Sequence, residues 1–163
     1  MAVDSAQVSK IEIICKKENR VPIILERQNN SWIGTRGETT SQIDHASVNA
    51  LLDQIDNIPV KRVAALNSDR WTDFEITDSL ANVVRAYVGD QKVIDLLVGN
   101  FNYQPQPQSV TTFVREPGED IVYGIDGLLS VNIDRSFLTF RNRGFLSFAA
   151  ENIQTISLQG QEG

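Results

Sequence analysis

The sequence predicts an α+β fold: antiparallel β-hairpins and meanders, one long amphipathic helix over about 44–58, and short C-terminal helical pieces. Three observations predict it. Residues 8–36 contain three apolar/polar runs separated by short polar turns, the pattern of half-buried strands. Within 44–58, Val48, Leu51, Leu52, Ile55 and Ile58 fall on one helical stripe. Residues 110–129, VTTFVREPGEDIVYGIDGLL, read as a hairpin that feeds a short helix, and the rest of the chain looks arranged to cover it.

Taken in order, residues 1–7 are small and polar and are expected to fray. In 8–15, Ile11, Ile13 and Cys15 face one side while Lys10 and Glu12 face the other. Residues 16–20 make a charged turn, and Val21, Ile23 and Leu25 then point inward. Pro22 lacks an N–H, so it belongs at a strand start or on an edge. Gln28-Asn29-Asn30-Ser31 turns the chain, because Asn tolerates the left-handed region. Residues 32–36 return as a third strand and complete an antiparallel meander. Either Asp44 or Ser41 caps the helix and Pro59 ends it; Asp53, Asp56 and Asn57 lie on its wet face.

Residues 60–66 form a further short strand, 67–73 make a helical turn around Trp71, and 74–80 are irregular. Gly89-Asp90-Gln91 joins strands 81–88 and 92–98 as a hairpin, with Ile94, Leu96 and Val98 on one face. Residues 99–109 carry two Gln-Pro steps and read as a loop, since proline cannot feed a ladder. Such a loop is either an ordered connector or a place for partner contacts. In the 110–129 hairpin, Val110, Thr112 and Val114 share a face, residues 116–120 turn, and Ile121, Tyr123 and Ile125 return together. Residues 127–133 and 136–140 are short helical pieces; Phe145, Leu146 and Phe148 close the core, and 152–159 make a last strand. That strand echoes residues 8–13, which fits either the start of a second unit or two similar edge strands.

A chain of 163 residues can bury one sizeable core. Its 41% hydrophobic and 22% charged content is ordinary for a folded domain. A net charge of -6 and pI ≈ 4.7 argue against nucleic acid, whose phosphates ask for a basic surface, and against an anionic membrane surface. No apolar run reaches the ~18 residues of a membrane span, and the first ten residues lack the parts of a signal peptide, so the chain as written reads as soluble. The single Cys15 excludes an internal disulfide and reads as a small buried hydrophobe.

No motif specifies catalysis. His45 stands beside Asp44 at a helix start, but Ser41 and Ser47 have no nucleophile-elbow context. Asp69, Asp73, Glu75 and Asp78 lack EF-hand spacing, one Cys and one His do not make a zinc site, and nucleotide-cradling glycine motifs are absent. No catalytic residue, cofactor or metal is therefore assigned. The candidate contacts for a partner or anion are Arg115, Tyr123, Arg135, Arg141 and Arg143. Arg135, Arg141 and Arg143 surround Phe137 and Phe140, and a guanidinium can grip a carboxylate or phosphate or stack on a ring. The alternative is that they cover the aromatics and pair with nearby acids. A concave surface bounded by Arg115, Tyr123 and Arg141 would favour a ligand.

The order of several segments carries a resemblance: VSKIEI, PIILER then SW, VNALLDQIDNI, KRVA, ITDSLANVVRAYVGDQKVIDLLVG, TTFVREPGEDIVYGIDGLL, SFLTFRNRGFLSF and IQTISL. Over nearly its whole length the chain resembles the bacterial family known as domain of unknown function 4340. The resemblance implies a longer, membrane-tethered extracytoplasmic protein with an N-terminal transmembrane helix that this chain lacks. It also implies company with ABC-type transport systems related to gliding motility. Residues 1–163 are then one α+β domain of a fragment, with 152–159 the candidate first strand of a following unit. The expected function is a non-catalytic accessory module of such a complex, with permease subunits among its protein partners and no nucleic acid. The alternatives are a domain binding a soluble anionic glycan or peptide, and an enzyme whose site lies in parts outside this chain.

Overall fold

The computed structural model describes residues 4–56 and 58–144, together with Thr155 and Ser157. Its frame is a nine-stranded antiparallel sheet of β1 (Lys10–Ile14), β2 (Ile23–Gln28), β3 (Ser31–Arg36), β4 (Thr39–Ile43), β5 (Val60–Ala65), β6 (Asn82–Val88), β7 (Gln91–Pro105), β8 (Gln108–Arg115) and β9 (Val122–Asp126). The strand order is β4-β3-β2-β1-β6-β7-β8-β9-β5. Helices α1 (His45–Asp56), α2 (Leu129–Ile133) and α3 (Phe137–Phe140), with short 3-10 turns at Ser5–Gln7, Lys16–Glu18 and Ser68–Arg70, complete the described elements. This is an α+β domain dominated by its sheet.

Both meanders follow from turn chemistry. Asn29 takes φ 55° between β2 and β3, and Gly89 takes φ 58° between β6 and β7, the residue types that tolerate this region. Before β1, Asp4 caps a short turn at Ser5–Gln7, where fraying was expected. The expected helix over 44–58 is shorter, ending at Asp56, and it buries Val48, Leu51, Leu52 and Ile55. Asp44 is its cap: the carboxylate accepts from the Ser47 N–H at 3.0 Å and hydroxyl at 3.1 Å. Ser41 lies instead in β4, a strand with one buried apolar residue, Ile43, and so without an alternation to reveal it.

The connection through α1 joins β4 to β5, the two edges of the sheet. Flat, these edges would stand about 38 Å apart. A twelve-residue helix spans about 18 Å, and the six chain steps flanking it add at most about 22 Å, so a flat sheet would leave no slack to turn the chain at either end of the helix. The sheet therefore curls around the helix. One core cluster accordingly unites Trp32 on β3, Leu51 on α1, Ile125 on β9 and Phe137 on α3.

The chain then returns from β5 to β6 across the other face. Residues 66–81 bring Phe74, Ile76 and Ala81 onto Val83, Leu97, Phe113 and Val122 in a second, smaller core. Strands β6 to β9 are thus covered on both faces, which is why Val83-Val84 and Leu96-Leu97-Val98 read as continuous apolar runs.

Residues 99–109 are not a loop. After a bulge between Val98 and Phe101, residues 101–105 pair with 108–112, so β7 and β8 form one long ribbon. Residues 101–108 are exposed throughout; with no covered face they show no apolar alternation, and only Gln106 and Pro107 remain outside the strands. The apolar trio Phe145, Leu146 and Phe148, helix-face Asn57 and all of the 152–159 strand except Thr155 and Ser157 lie outside the described residues.

Gly99 sits where the crossing touches the sheet. The Phe74 carbonyl accepts from Asn100 N–H at 2.9 Å, and on its other side the Ser130 hydroxyl donates to the Gly99 carbonyl at 2.7 Å. A Cβ at Gly99 would overlap the Phe74 carbonyl oxygen, a backbone atom that cannot swing aside. Gly99→Ala should therefore destabilise the domain by about 3 kcal/mol, at the upper end of overpacking costs. Urea unfolding of both proteins checks this; an unchanged midpoint would show that the crossing is not held tightly there.

Candidate functional site

Three of the five predicted contact residues meet. Arg135, Arg141 and Arg143 line one depression of about 580 Å³ together with Asp44 and Asn142. It lies beside the outer edge of β4. Arg141 makes an isolated antiparallel bridge with Ile43, Asn142 N–H donates to the Gln42 carbonyl, and Asp44 N–H donates to the Phe140 carbonyl, each at 2.9 Å. Arg141 Nε also donates to the Ser41 hydroxyl at 3.0 Å. Among the described residues three guanidiniums stand against one carboxylate, itself occupied by Ser47, an electropositive surface suited to a carboxylate or phosphate.

The segment bearing these arginines is fixed from beneath by Glu18, a buried residue of the turn that sequence reading took as merely charged. The Phe137 N–H donates to its carboxylate at 2.6 Å, and Arg36 pairs with the same group. Burial alone would push the Glu18 carboxyl up. The Phe137 N–H, the Ser136 hydroxyl and the Arg36 guanidinium more than reverse this and hold it below the ordinary glutamate value. Cys15 nearby is fully buried, and burial raises its thiol pKa, in keeping with its reading as a small hydrophobe.

The other two predicted residues lie elsewhere, on opposite faces of the sheet. Arg115 is only 2% exposed. Its guanidinium donates to the carbonyls of Ile76 and Glu119 and to Asp78, and it stacks 3.7 Å from the Trp71 ring centroid. It is a structural cation, because its donors are spent inside the chain. Tyr123 is half-buried against the main core and lines a separate recess of about 310 Å³ with Ile58, Val60 and Ile94. Arg115, Tyr123 and Arg141 therefore bound no common surface. His45 is exposed in the first turn of α1.

Sequence reading named 99–109 as a place for partner contacts but as a loop, and so missed the β7–β8 ribbon that those residues form. It missed altogether a depression of about 460 Å³ at the ribbon's root, lined by Arg62, Arg70, Asp73, Asn100, Phe101 and Phe113. Its residues are scattered over four segments, so no local motif marks it. Among the described residues no group of three His, Cys, Asp or Glu side chains is placed to hold a metal, and no helix is long and apolar enough to cross a membrane.

A family model described as "Domain of unknown function (DUF4340)" matches residues 35–163. No curated protein and no solved structure matches the chain.

The depressed Glu18 pKa has a stability consequence. A carboxyl with a lower pKa folded than unfolded contributes its full stability above the unfolded value, about 4.3, and loses it as pH falls through the folded one. Glu18→Gln should cost about 2 kcal/mol at pH 7, the scale of a hydrogen bond to a charged group, and much less once the carboxyl is protonated. Urea unfolding at pH 7 and at successively lower pH checks it; an equal loss at every pH would assign Glu18 a packing role only.

Proposed function

The chain belongs to the DUF4340 family of domains of unknown function, and on that premise we propose that it is a non-catalytic accessory module that docks on protein partners in an extracytoplasmic, membrane-tethered transport complex. The family resemblance supports the setting: an ABC-type system of the gliding kind, with permease subunits as partners. One observation carries the docking itself. The β7–β8 ribbon extends past the covered part of the sheet as a paired, regular structure, and it presents Phe101 and Tyr103 at 46% and 52% exposure. Aromatic side chains on a preordered support cost little entropy to bury, and they anchor interfaces.

A second reading, binding of a soluble anionic glycan or peptide, is favoured by the convergence of Arg135, Arg141 and Arg143 on one depression. Under that reading a hexuronate oligosaccharide binds the domain, and Arg141→Ala with Arg143→Ala removes the binding. Retained binding in that variant would sink it.

The docking reading is tested in membranes of the native organism with the full-length protein. Crosslinking should recover permease subunits with the wild type, and Phe101→Ser with Tyr103→Ser should cut recovery about tenfold, as loss of interface anchors does. Both side chains are exposed, so thermal stability should be unchanged. Clean absence of permease from wild-type crosslinks would overturn the proposal.

A further inference from the structure

We propose that the depression between β5 and the crossing segment receives an acidic peptide, with Arg62 holding its carboxylate. The inference rests on the docking reading, of which it names the partner's chemistry.

Arg62 starts on the edge strand, and its register partner on β9 is Gly124. A Cβ there would stand 3.3 Å from Arg62 Cγ and 2.9 Å from Thr111 Cγ2. The glycine therefore leaves a channel in which the Arg62 stem crosses β9. Its guanidinium carbon arrives 6.0 Å from the Phe113 ring centroid. Phe113 packs on Phe74 with centroids 4.3 Å apart, and Arg70 covers Phe74 at 4.9 Å. Two rings thus lie between two guanidiniums.

The two arginines differ in what they face. Arg70 Nε is paired with Asp73 at 3.2 Å. Arg62 has no carboxylate partner among the described residues. The depression so keeps one uncompensated positive charge on a chain of net charge -6. A guanidinium resting on a ring still turns its N–H edge outward, and that edge matches a carboxylate in two-point geometry.

Asn100 lines the same depression, and its Nδ2 donates to the Asp73 carbonyl at 3.1 Å. An extended acidic peptide supplies the side-chain carboxylate that Arg62 lacks. Phe101 and Val63, the latter 50% exposed, provide apolar contacts at the rim. The volume of about 460 Å³ falls within the range of small-ligand sites and holds a few residues.

The test is an NMR titration of the ¹⁵N-labelled chain with the probe acetyl-Gly-Glu-Leu-Glu-Gly-amide, its glutamine counterpart, and free N-acetylglutamate. The glutamate peptide should shift the Arg62 Nε–H and the Asn100 side-chain amide saturably. Arg62→Gln, whose spectrum elsewhere should stay native, should weaken binding about tenfold or more, the worth of a charge-assisted hydrogen bond. No saturable shift at millimolar peptide, equal binding of the glutamine peptide, or unchanged binding by Arg62→Gln would each overturn the proposal. Binding of N-acetylglutamate as tight as the peptide would overturn the peptide assignment in favour of a small free carboxylate. The titration needs no complex, so its failure leaves permease recovery as a separate result, and loss of permease recovery leaves the titration readable.

Discussion

Arg115 holds the fold's irregular crossing to the sheet, and the second core exists because it does. Residues 66–81 run from the outermost strand to a central one over a face that already has its own ladder. The carbonyls of such a segment must find donors outside a sheet or helix. Arg115 answers the Ile76 carbonyl twice and, from the same planar group, the Glu119 carbonyl of the β8–β9 turn once. Taking a cation out of water costs several kcal/mol unless its donors are met. Here the carbonyls and the Trp71 ring meet them, while Asp78, itself 84% exposed, is screened and contributes less. Trp71 in turn donates from Nε1 to the Asp120 carbonyl at 3.0 Å, so the crossing and the β8–β9 turn lock each other.

That constraint decides where small residues are needed. The crossing approaches β7 closely enough that position 99 has no room for a side chain, and α2 presses the same residue from the opposite face through Ser130. Nearer the edge, Gly124 leaves its space to the Arg62 stem rather than to backbone. The depression lined by Arg62, Asn100 and Phe113 is therefore what remains between a tightly seated crossing and an edge strand reached only by a side chain. Its open volume and the unpaired Arg62 guanidinium have the same origin.

The parts of the fold legible in the sequence were those with alternating side chains or marked turns. β1, β2 and β3 bury one parity and leave the other partly exposed, so period-2 patterning found them, while the β6–β7 and β8–β9 hairpins, covered on both faces, were marked by the turn residues Gly89-Asp90-Gln91 and Glu116-Pro117-Gly118. Where both faces see water the pattern vanishes while the backbone ladder persists, as in β4 and residues 101–108. Polar residues that serve the interior are equally silent. Glu18 reads as part of a charged turn, yet it accepts the Phe137 N–H from far along the chain. Arg115 reads as a surface cation, and only its register beside Phe113 under the crossing makes it internal. Of the site, sequence proximity found the Arg135, Arg141 and Arg143 group; the Arg62 depression depends on contacts between distant segments, which single-chain spacing does not encode.

The way arginine is used links these observations. Arg20 donates to the Ala81 and Ser79 carbonyls, Arg36 pairs with Glu18, Arg85 bridges Glu12 and Asp95, and Arg115 serves the crossing. In each case the guanidinium joins pieces of backbone or sheet that lie far apart in sequence, as its rigid fork suits it to do. Burial of Arg85 works against its charge, but hydrogen bonding to Glu12, followed by that to Asp95, outweighs it and raises its pKa, so the bridge stays charged at any physiological pH. Against that inward use, the Arg62 guanidinium, lying on a ring in an open depression with no carboxylate among the described residues to answer it, is the arrangement of a surface whose complement comes from another molecule.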